Sequence, residues 1–300
     1  MQKTAFIAIV GRPNVGKSSI LNRILGQKIT IVSSKPQTTR TRIMGVYTKD
    51  DIQLVFIDTP GLHKPKNSLG KYMVRSINES VAGVDACLLV AECDREPGDT
   101  EKMLMQRFKS MGIPSLLALN KIDTLKDKHD VIKYIAAYSK EHDFDDIVPV
   151  SAQTGSGIND LISALCKQAE EGEHMFDPDT LTDQPERVLA GEIIREKILR
   201  LTDKEIPHGT AVVIERFKQR SNGGITDIDA TIYCERQNHK GIIIGKGGSM
   251  LKKIGTYARQ DMENFFDCKI NLTLWVKVKE DWRNREGILR SLGYDESNFD

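Results

Sequence analysis

Eight residues near the start, Gly11-Arg12-Pro13-Asn14-Val15-Gly16-Lys17-Ser18, fit the spacing G-x-x-x-x-G-K-S/T, which lets a backbone wrap an oligophosphate. Glycine allows successive N–H groups to turn inward, and the N-terminus of a following helix adds positive partial charge. Lys17 is then expected to reach the outer phosphates, and Ser18, with Ser19 beside it, to bring a hydroxyl to Mg2+. Asp58-Thr59-Pro60-Gly61 closes the apolar run Gln53-Leu54-Val55-Phe56-Ile57 and is followed by Leu62. A carboxylate at that strand end can hold Mg2+ through water while the Gly61 N–H faces the terminal phosphate. Asn120-Lys121-Ile122-Asp123 selects the base. A carboxylate at Asp123 accepts from guanine N1–H and the 2-amino group together, whereas adenine offers neither donor, so GTP and GDP are expected and an ATPase is disfavoured. Ser151-Ala152 ends a later apolar run, where the Ala152 N–H is placed to donate to guanine O6.

A second constellation lies at Ile243-Ile244-Gly245-Lys246-Gly247-Gly248. Here G-x-x-G lets backbone approach phosphate closely, and Lys246 supplies charge. Lys252 is a further phosphate candidate, and Ile242, Ile243 and Ile244 are candidates for an apolar groove or for helix core. The stretch Arg236–Gln260 carries six Lys/Arg and no acid, and the first 49 residues carry nine and none. Local excesses of this kind attract anions whatever the net charge.

These residues need a scaffold. From 5 to 169 the pattern alternates apolar strand and amphipathic helix, which predicts an α/β fold with a mostly parallel, doubly wound sheet over 1–172. Residues 173–184 are acidic with a proline and read as linker. From 185 to 285 the order is helix, hairpin, two helices and a strand in which Ile270, Leu272, Leu274, Val276 and Val278 alternate with polar positions. That is a smaller α+β domain, with 286–300 as a tail.

Composition excludes the other classes. Of 300 residues, 43 are Lys or Arg and 42 Asp or Glu, a net charge of +1, with 39% apolar, which is ordinary for a globular chain. No apolar run is long enough to span a membrane, and the first residues lack the long apolar run of a signal peptide, so a cytoplasmic location is expected. Five cysteines, Cys87, Cys93, Cys166, Cys234 and Cys268, have no C-x-x-C spacing and read as reduced thiols without a metal. Trp275 and Trp282 read as packing residues.

GRPNVGKS, QTTRTR, DTPG, NKID and SAQTG in this order resemble the translation-factor-related GTPases, specifically the Era type. The second half, with its helix order and G-x-x-G, resembles a type II KH domain, a module that clamps about four nucleotides of single-stranded backbone. Together they cover nearly the whole chain. The resemblance implies a GTP-hydrolysing switch in which Thr39, or its neighbour Thr38, closes on Mg2+ and the γ-phosphate, with Lys17, Gly61 and Asn14 also contributing to catalysis. Asn14 points to related enzymes activated by K+. It further implies a ribosome-assembly factor that binds small-subunit rRNA near its 3′ end and the 30S subunit, with no DNA partner, as a monomer. Peripheral contact with the cell membrane is left open, and the rival reading is a nucleotide-gated protein- or membrane-binding module. One departure matters: Ras-like enzymes place a glutamine after the DxxG glycine to orient water, whereas this chain has Leu62, then His63. Slow intrinsic hydrolysis is expected.

Overall fold

The computed structural model describes residues 1–294 apart from 34, 36, 63, 64, 66, 128 and 222; His63 and the end of the 286–300 tail therefore lie outside the described residues. The chain folds as two compact units.

The first unit comprises Met1–Thr30, Thr39–Lys64 and Met73–Asp183. Its strands are β1 (Lys3–Val10), β2 (Ile43–Lys49), β3 (Ile52–Asp58), β4 (Ala86–Glu92), β5 (Ser115–Asn120), β6 (Asp146–Pro149) and the short β7 (Glu170–Glu171). The order is β2-β3-β1-β4-β5-β6. β1 is parallel to β3 and β4, β4 to β5 and β5 to β6, and only the edge strand β2 and β7 run antiparallel. Both faces of β4 and β5 are buried, which is why these strands read as unbroken apolar runs rather than alternating ones. Helices α1 (Lys17–Leu25), α2 (Ser68–Val81), α3 (Asp99–Met111), α4 (Asp130–Glu141) and α5 (Ile158–Cys166) alternate with the strands. In such a sheet ligands bind beyond the carboxyl ends of the strands where the order reverses, here on either side of β1.

The second unit comprises Ile31–Thr38, Pro65–Tyr72 and the chain from Gln184 onward. Its order is α6 (Glu186–Leu201), β8 (Thr210–Gln219), β9 (Ile225–Cys234), α7 (Gln237–Ile244), α8 (Ser249–Phe266), β10 (Lys269–Val278) and α9 (Glu286–Ser291). The sheet runs β10-β9-β8, with β10 parallel to β9 and β8 antiparallel to it. Ile194, Ile198, Ile228, Ile232, Ile243, Ile254 and Met262 form its core.

Four expectations need correction. The acidic stretch read as linker, 173–184, is not a separate segment: 173–183 belong to the first unit and Gln184 to the second. Gln53, a fully buried amide on β3, accepts from the Met175 and Phe176 N–H groups and donates to the Phe176 carbonyl at 2.8–3.0 Å, and the Leu181 carbonyl accepts from Val46. A buried amide must be satisfied, and that demand is invisible in a window of acids. The division also separates 31–38 and 65–72 from the first unit, so 1–172 is not one uninterrupted domain. Trp275, expected to pack, is 47% exposed, whereas Trp282 packs as expected: it is fully buried, donates to the Gly209 carbonyl at 3.0 Å and stacks on Tyr294, and the tail includes α9. Among the described residues no helix is long and apolar enough to cross a membrane.

Candidate functional site

Gly11 to Lys17 joins the end of β1 to α1. Gly11 and Gly16 have φ of +146° and +103°, a region side chains avoid. A Cβ at Gly11 would lie 2.3 Å from the Val90 carbonyl, and one at Gly16 2.1 Å from Asn120 Nδ2. Only glycine therefore lets the loop close against β4 and β5. Lys17, buried, donates to the Gly11 and Arg12 carbonyls at 3.1 and 3.0 Å. Val15 is buried, while Asn14, with φ +66°, is exposed at the loop's crest. Arg12 turns away from the loop to Glu101 on α3, a carboxylate with no exposure, at 2.5 Å. Pro13 meets Gly61, where a Cβ would come within 2.6 Å of the Pro13 Cα. Ser19 is half-buried in the first turn of α1.

Ser18, Thr39 and Asp58 converge. The Ser18 hydroxyl donates to Asp58 Oδ2 at 2.6 Å and lies 3.0 Å from Thr39 Oγ1. Asp58 is fully buried, and its Oδ1 has no hydrogen-bond partner. Two hydroxyls and one carboxylate with a buried, unsatisfied oxygen fit Mg2+, a hard cation that completes its octahedron with water and phosphate oxygens rather than a protein cage. Of the two threonine candidates, Thr39 faces this set, whereas Thr38 donates to the Lys35 carbonyl at 2.6 Å. The buried Thr59 hydroxyl donates to the Ile9 carbonyl at 2.7 Å and ties β3 to β1. Pro60 is buried beside it. The Leu62 N–H donates to the Gly11 carbonyl at 3.2 Å, and its side chain packs on the core.

Burial pushes the Asp58 carboxyl up to about 6, against the attraction of Lys17 and hydrogen bonds from Ser18, Thr39 and Thr59. Burial lowers the Lys17 ammonium to about 8, against the attraction of Asp58. The fold thus favours the neutral form of each. Asp58 contributes stability below its ordinary value of 3.8, and this is lost as pH rises through 6; the Lys17 penalty is relieved as pH climbs from 8 towards 10.5. At neutral pH both carry charge that the fold disfavours and that a cation and an anion would offset. Because a metal ligand must be ionised, Mg2+ affinity is expected to fall as pH drops through 6. Mg2+ titrations of the GTP-analogue complex at pH 5.5 and 7.5 check this, and equal affinities would contradict it.

The residues expected to face the base lie at or just after the ends of β5 and β6. Asn120 is buried, donates to the Val15 carbonyl at 2.8 Å and accepts from the Ala152 N–H at 3.1 Å, so its amide joins the phosphate loop to the loop after β6. The Ala152 N–H expected at guanine O6 is thus engaged by Asn120 here. Ser151, fully buried, donates to Asp123 Oδ1 at 2.5 Å, and the exposed Asp123 keeps its other oxygen free of that bond. Lys121, with φ +70°, pairs with Glu92 at the end of β4. The sequence reading missed Arg23, whose Nε donates to the Ala152 carbonyl at 3.0 Å, as well as Glu92 and Glu101. Their partners lie in other motifs, and no local pattern marks them.

In the second unit Gly245, Gly247 and Gly248 all have positive φ, 74°, 60° and 80°, and turn the chain from α7 into α8. A Cβ at Gly245 would lie 2.8 Å from Met250 N, whereas Gly247 and Gly248 face open space. Lys246 and Lys252 are exposed. Ile243 is corrected to core, with no exposure, and Ile244 packs against that core; Ile242 is the outward residue at 49%. Beside the loop is a cleft of about 360 Å³ lined by Gly248, Leu251, Lys252, Gly255, Arg259 and Leu274 among others. Leu251, Gly255 and Arg259 recur at the four-residue spacing of one helix face, the signal that could have located it.

The chain matches the family model described as 50S ribosome-binding GTPase over residues 6–121 and the KH domain over 205–283. It is 48% identical to GTPase Era of Clostridioides difficile over 99% of this chain and all of that one, and 50% identical to GTPase Era of Ruminiclostridium cellulolyticum over 97% of each. Two solved structures superpose with a TM-score of 0.94 at 39% identity over 98% of this chain and 99% of each of theirs: Era with MgGDPNP and nucleotides 1506–1542 of 16S ribosomal RNA, and a variant of Aquifex aeolicus Era bound to GDP·AlF4−. With a GTPase family model and a KH-domain model matched in one chain, and relatives 48–50% identical over nearly its whole length, this protein belongs to the Era family of GTPases.

Proposed function

We propose that this chain is a GTP-hydrolysing switch that grips the 3′ end of 16S rRNA when GTP is bound, releases it after hydrolysis, and so acts in assembly of the 30S subunit. The observation that carries this is its match over 98% of its length to an Era solved with MgGDPNP and that rRNA segment. Lys17 and the backbone from Asn14 to Ser18 hold the phosphates; Ser18, Thr39 and Asp58 hold Mg2+, which when bound neutralises charge on the transferring phosphoryl group. Asp123 reads guanine, and Gly245–Gly248 with Lys246 and Lys252 approaches RNA phosphates. In support, Ser18, Thr39 and Asp58 converge in space as described above. The direct test is the affinity of the full chain for an RNA copy of that 3′ end in GTP-analogue and GDP states.

Hydrolysis is slow in this reading, because Leu62 is spent on the core and cannot orient water. Asn14, exposed at the crest of the loop, is the residue that would bring K+ to the phosphates, where a monovalent cation does the work of an arginine finger. Turnover is therefore expected to rise several-fold, on the order of tenfold, when K+ replaces Na+, and to lose that dependence in Asn14→Ala. Equal turnover in the two salts would remove the potassium role.

A further inference from the structure

The segment Ile31–Thr38 belongs to the second unit, and polar contacts at both of its ends fasten it to α6. Glu196, fully buried, accepts the Val32 N–H at 3.1 Å, and Arg200 donates to the Val32 carbonyl at 3.0 Å while pairing with Glu196 at 3.0 Å. Lys35 reaches the Thr202 carbonyl and Asp203. At the other end stands Arg195, 1% exposed and among the largest fully buried side chains of the chain. Its guanidinium donates to the Gln37 carbonyl at 3.4 Å and to the Thr38 carbonyl. Glu192, one turn back, neutralises it through contacts of 2.8 and 2.5 Å.

A planar guanidinium shared between one carboxylate and two successive carbonyls is a directional clamp, which a point-charge ammonium would not reproduce. It acts where the backbone needs holding, since Gln37 has φ +60°, a conformation that costs a non-glycine residue about 1 kcal/mol. The residue after the clamped carbonyl is Thr39, which belongs to the first unit and whose hydroxyl already lies 3.0 Å from Ser18. A peptide group is rigid and planar, so a fixed Thr38 carbonyl fixes the N–H and the Cα of Thr39.

We propose that Arg195 is a positioning residue for the switch threonine: by gripping the Thr38 carbonyl it orients the Thr38–Thr39 peptide and presents the Thr39 hydroxyl to the Mg2+ donors. This rests on the GTP-switch reading above and deepens it. Because switch segments are ordered by γ-phosphate and Mg2+, the triphosphate complex needs the grip and the diphosphate complex does not.

The test is equilibrium binding of fluorescent GDP and of a non-hydrolysable GTP analogue to the full chain across an Mg2+ titration, without RNA. Arg195→Met combined with Glu192→Gln avoids leaving an unpaired carboxylate. This variant is expected to weaken the analogue about tenfold and to raise the Mg2+ requirement by a similar factor, with GDP affinity within about twofold. Arg195→Lys, which keeps one donor, should fall between; it carries the test alone if circular dichroism shows that the double variant fails to fold. Unchanged analogue affinity, or an equal loss for analogue and GDP, overturns the proposal. Failure of the switch reading would look different, because wild type itself would then bind the analogue without dependence on Mg2+.

Discussion

Asp123→Asn is expected to exchange one base for another, lowering GTP affinity by about 10²–10³-fold while making xanthosine triphosphate a ligand. Ser151 donates to Asp123 Oδ1 at 2.5 Å, and an asparagine can keep that bond through its own Oδ1. Its amide nitrogen then occupies the other position. Guanine would bring its N1–H and 2-amino donors against a donor, and a buried clash of that kind costs the desolvation of both groups. Xanthine carries a carbonyl at C2 and accepts instead. The loop itself should stand, because its frame is the Asn120 amide bonded to Val15 and Ala152, which the substitution does not touch. Competition among GTP, xanthosine triphosphate and ATP reads the outcome. Retained GTP affinity, or a gain for ATP, would mean that Asp123 does not face the base.

The second large effect concerns the glycine loop of the other unit. Lys246→Asp with Gly247→Asp replaces one positive charge by two negative ones at a surface proposed to lie against RNA phosphates, and RNA affinity is expected to fall by about a hundredfold at moderate salt. The geometry makes this a clean substitution. A Cβ at Gly247 meets nothing within 4 Å, whereas one at Gly245 would strike Met250, and aspartate tolerates the left-handed backbone better than most residues. GTP turnover should stay within about twofold, since neither residue belongs to the nucleotide site. RNA affinity that survives the double substitution would show that the glycine loop does not clamp the backbone.

How much of this was legible in the sequence follows from where each interaction closes. The phosphate loop could be read because its requirements are local: Gly11 and Gly16 must adopt positive φ, and Lys17 bonds carbonyls five and six residues back. Asp58 and Asn120 could be read because each ends an apolar strand, and Ser151 because it follows one closely, and a parallel sheet gathers strand ends on one edge. The residues that hold those groups in place could not. Arg23 bonds the Ala152 carbonyl 129 positions away, and Gln53 satisfies main-chain groups 122 and 123 positions away. For the same reason the acidic stretch looked like linker, since its partners, the Gln53 amide on β3 and the Val46 N–H on β2 among them, lie far away in the chain. Ile243 was ambiguous between groove and core because three isoleucines in a row give no period, and only packing against Ile254 and its neighbours assigns it inward. Arg195 carried no mark at all, being one arginine in a charged helix until its partners proved to be main-chain carbonyls.

The central claim is that nucleotide state governs the grip on RNA, and binding of the full chain to a short single-stranded copy of the 16S rRNA 3′ end, at one stated salt concentration, tests it most directly. With a non-hydrolysable GTP analogue and Mg2+ the affinity should exceed that with GDP by at least about tenfold, a coupling within the usual 1–3 kcal/mol between linked sites. Equal affinity in the two states would contradict the switch, and no binding in either would contradict the RNA-binding role of the second unit.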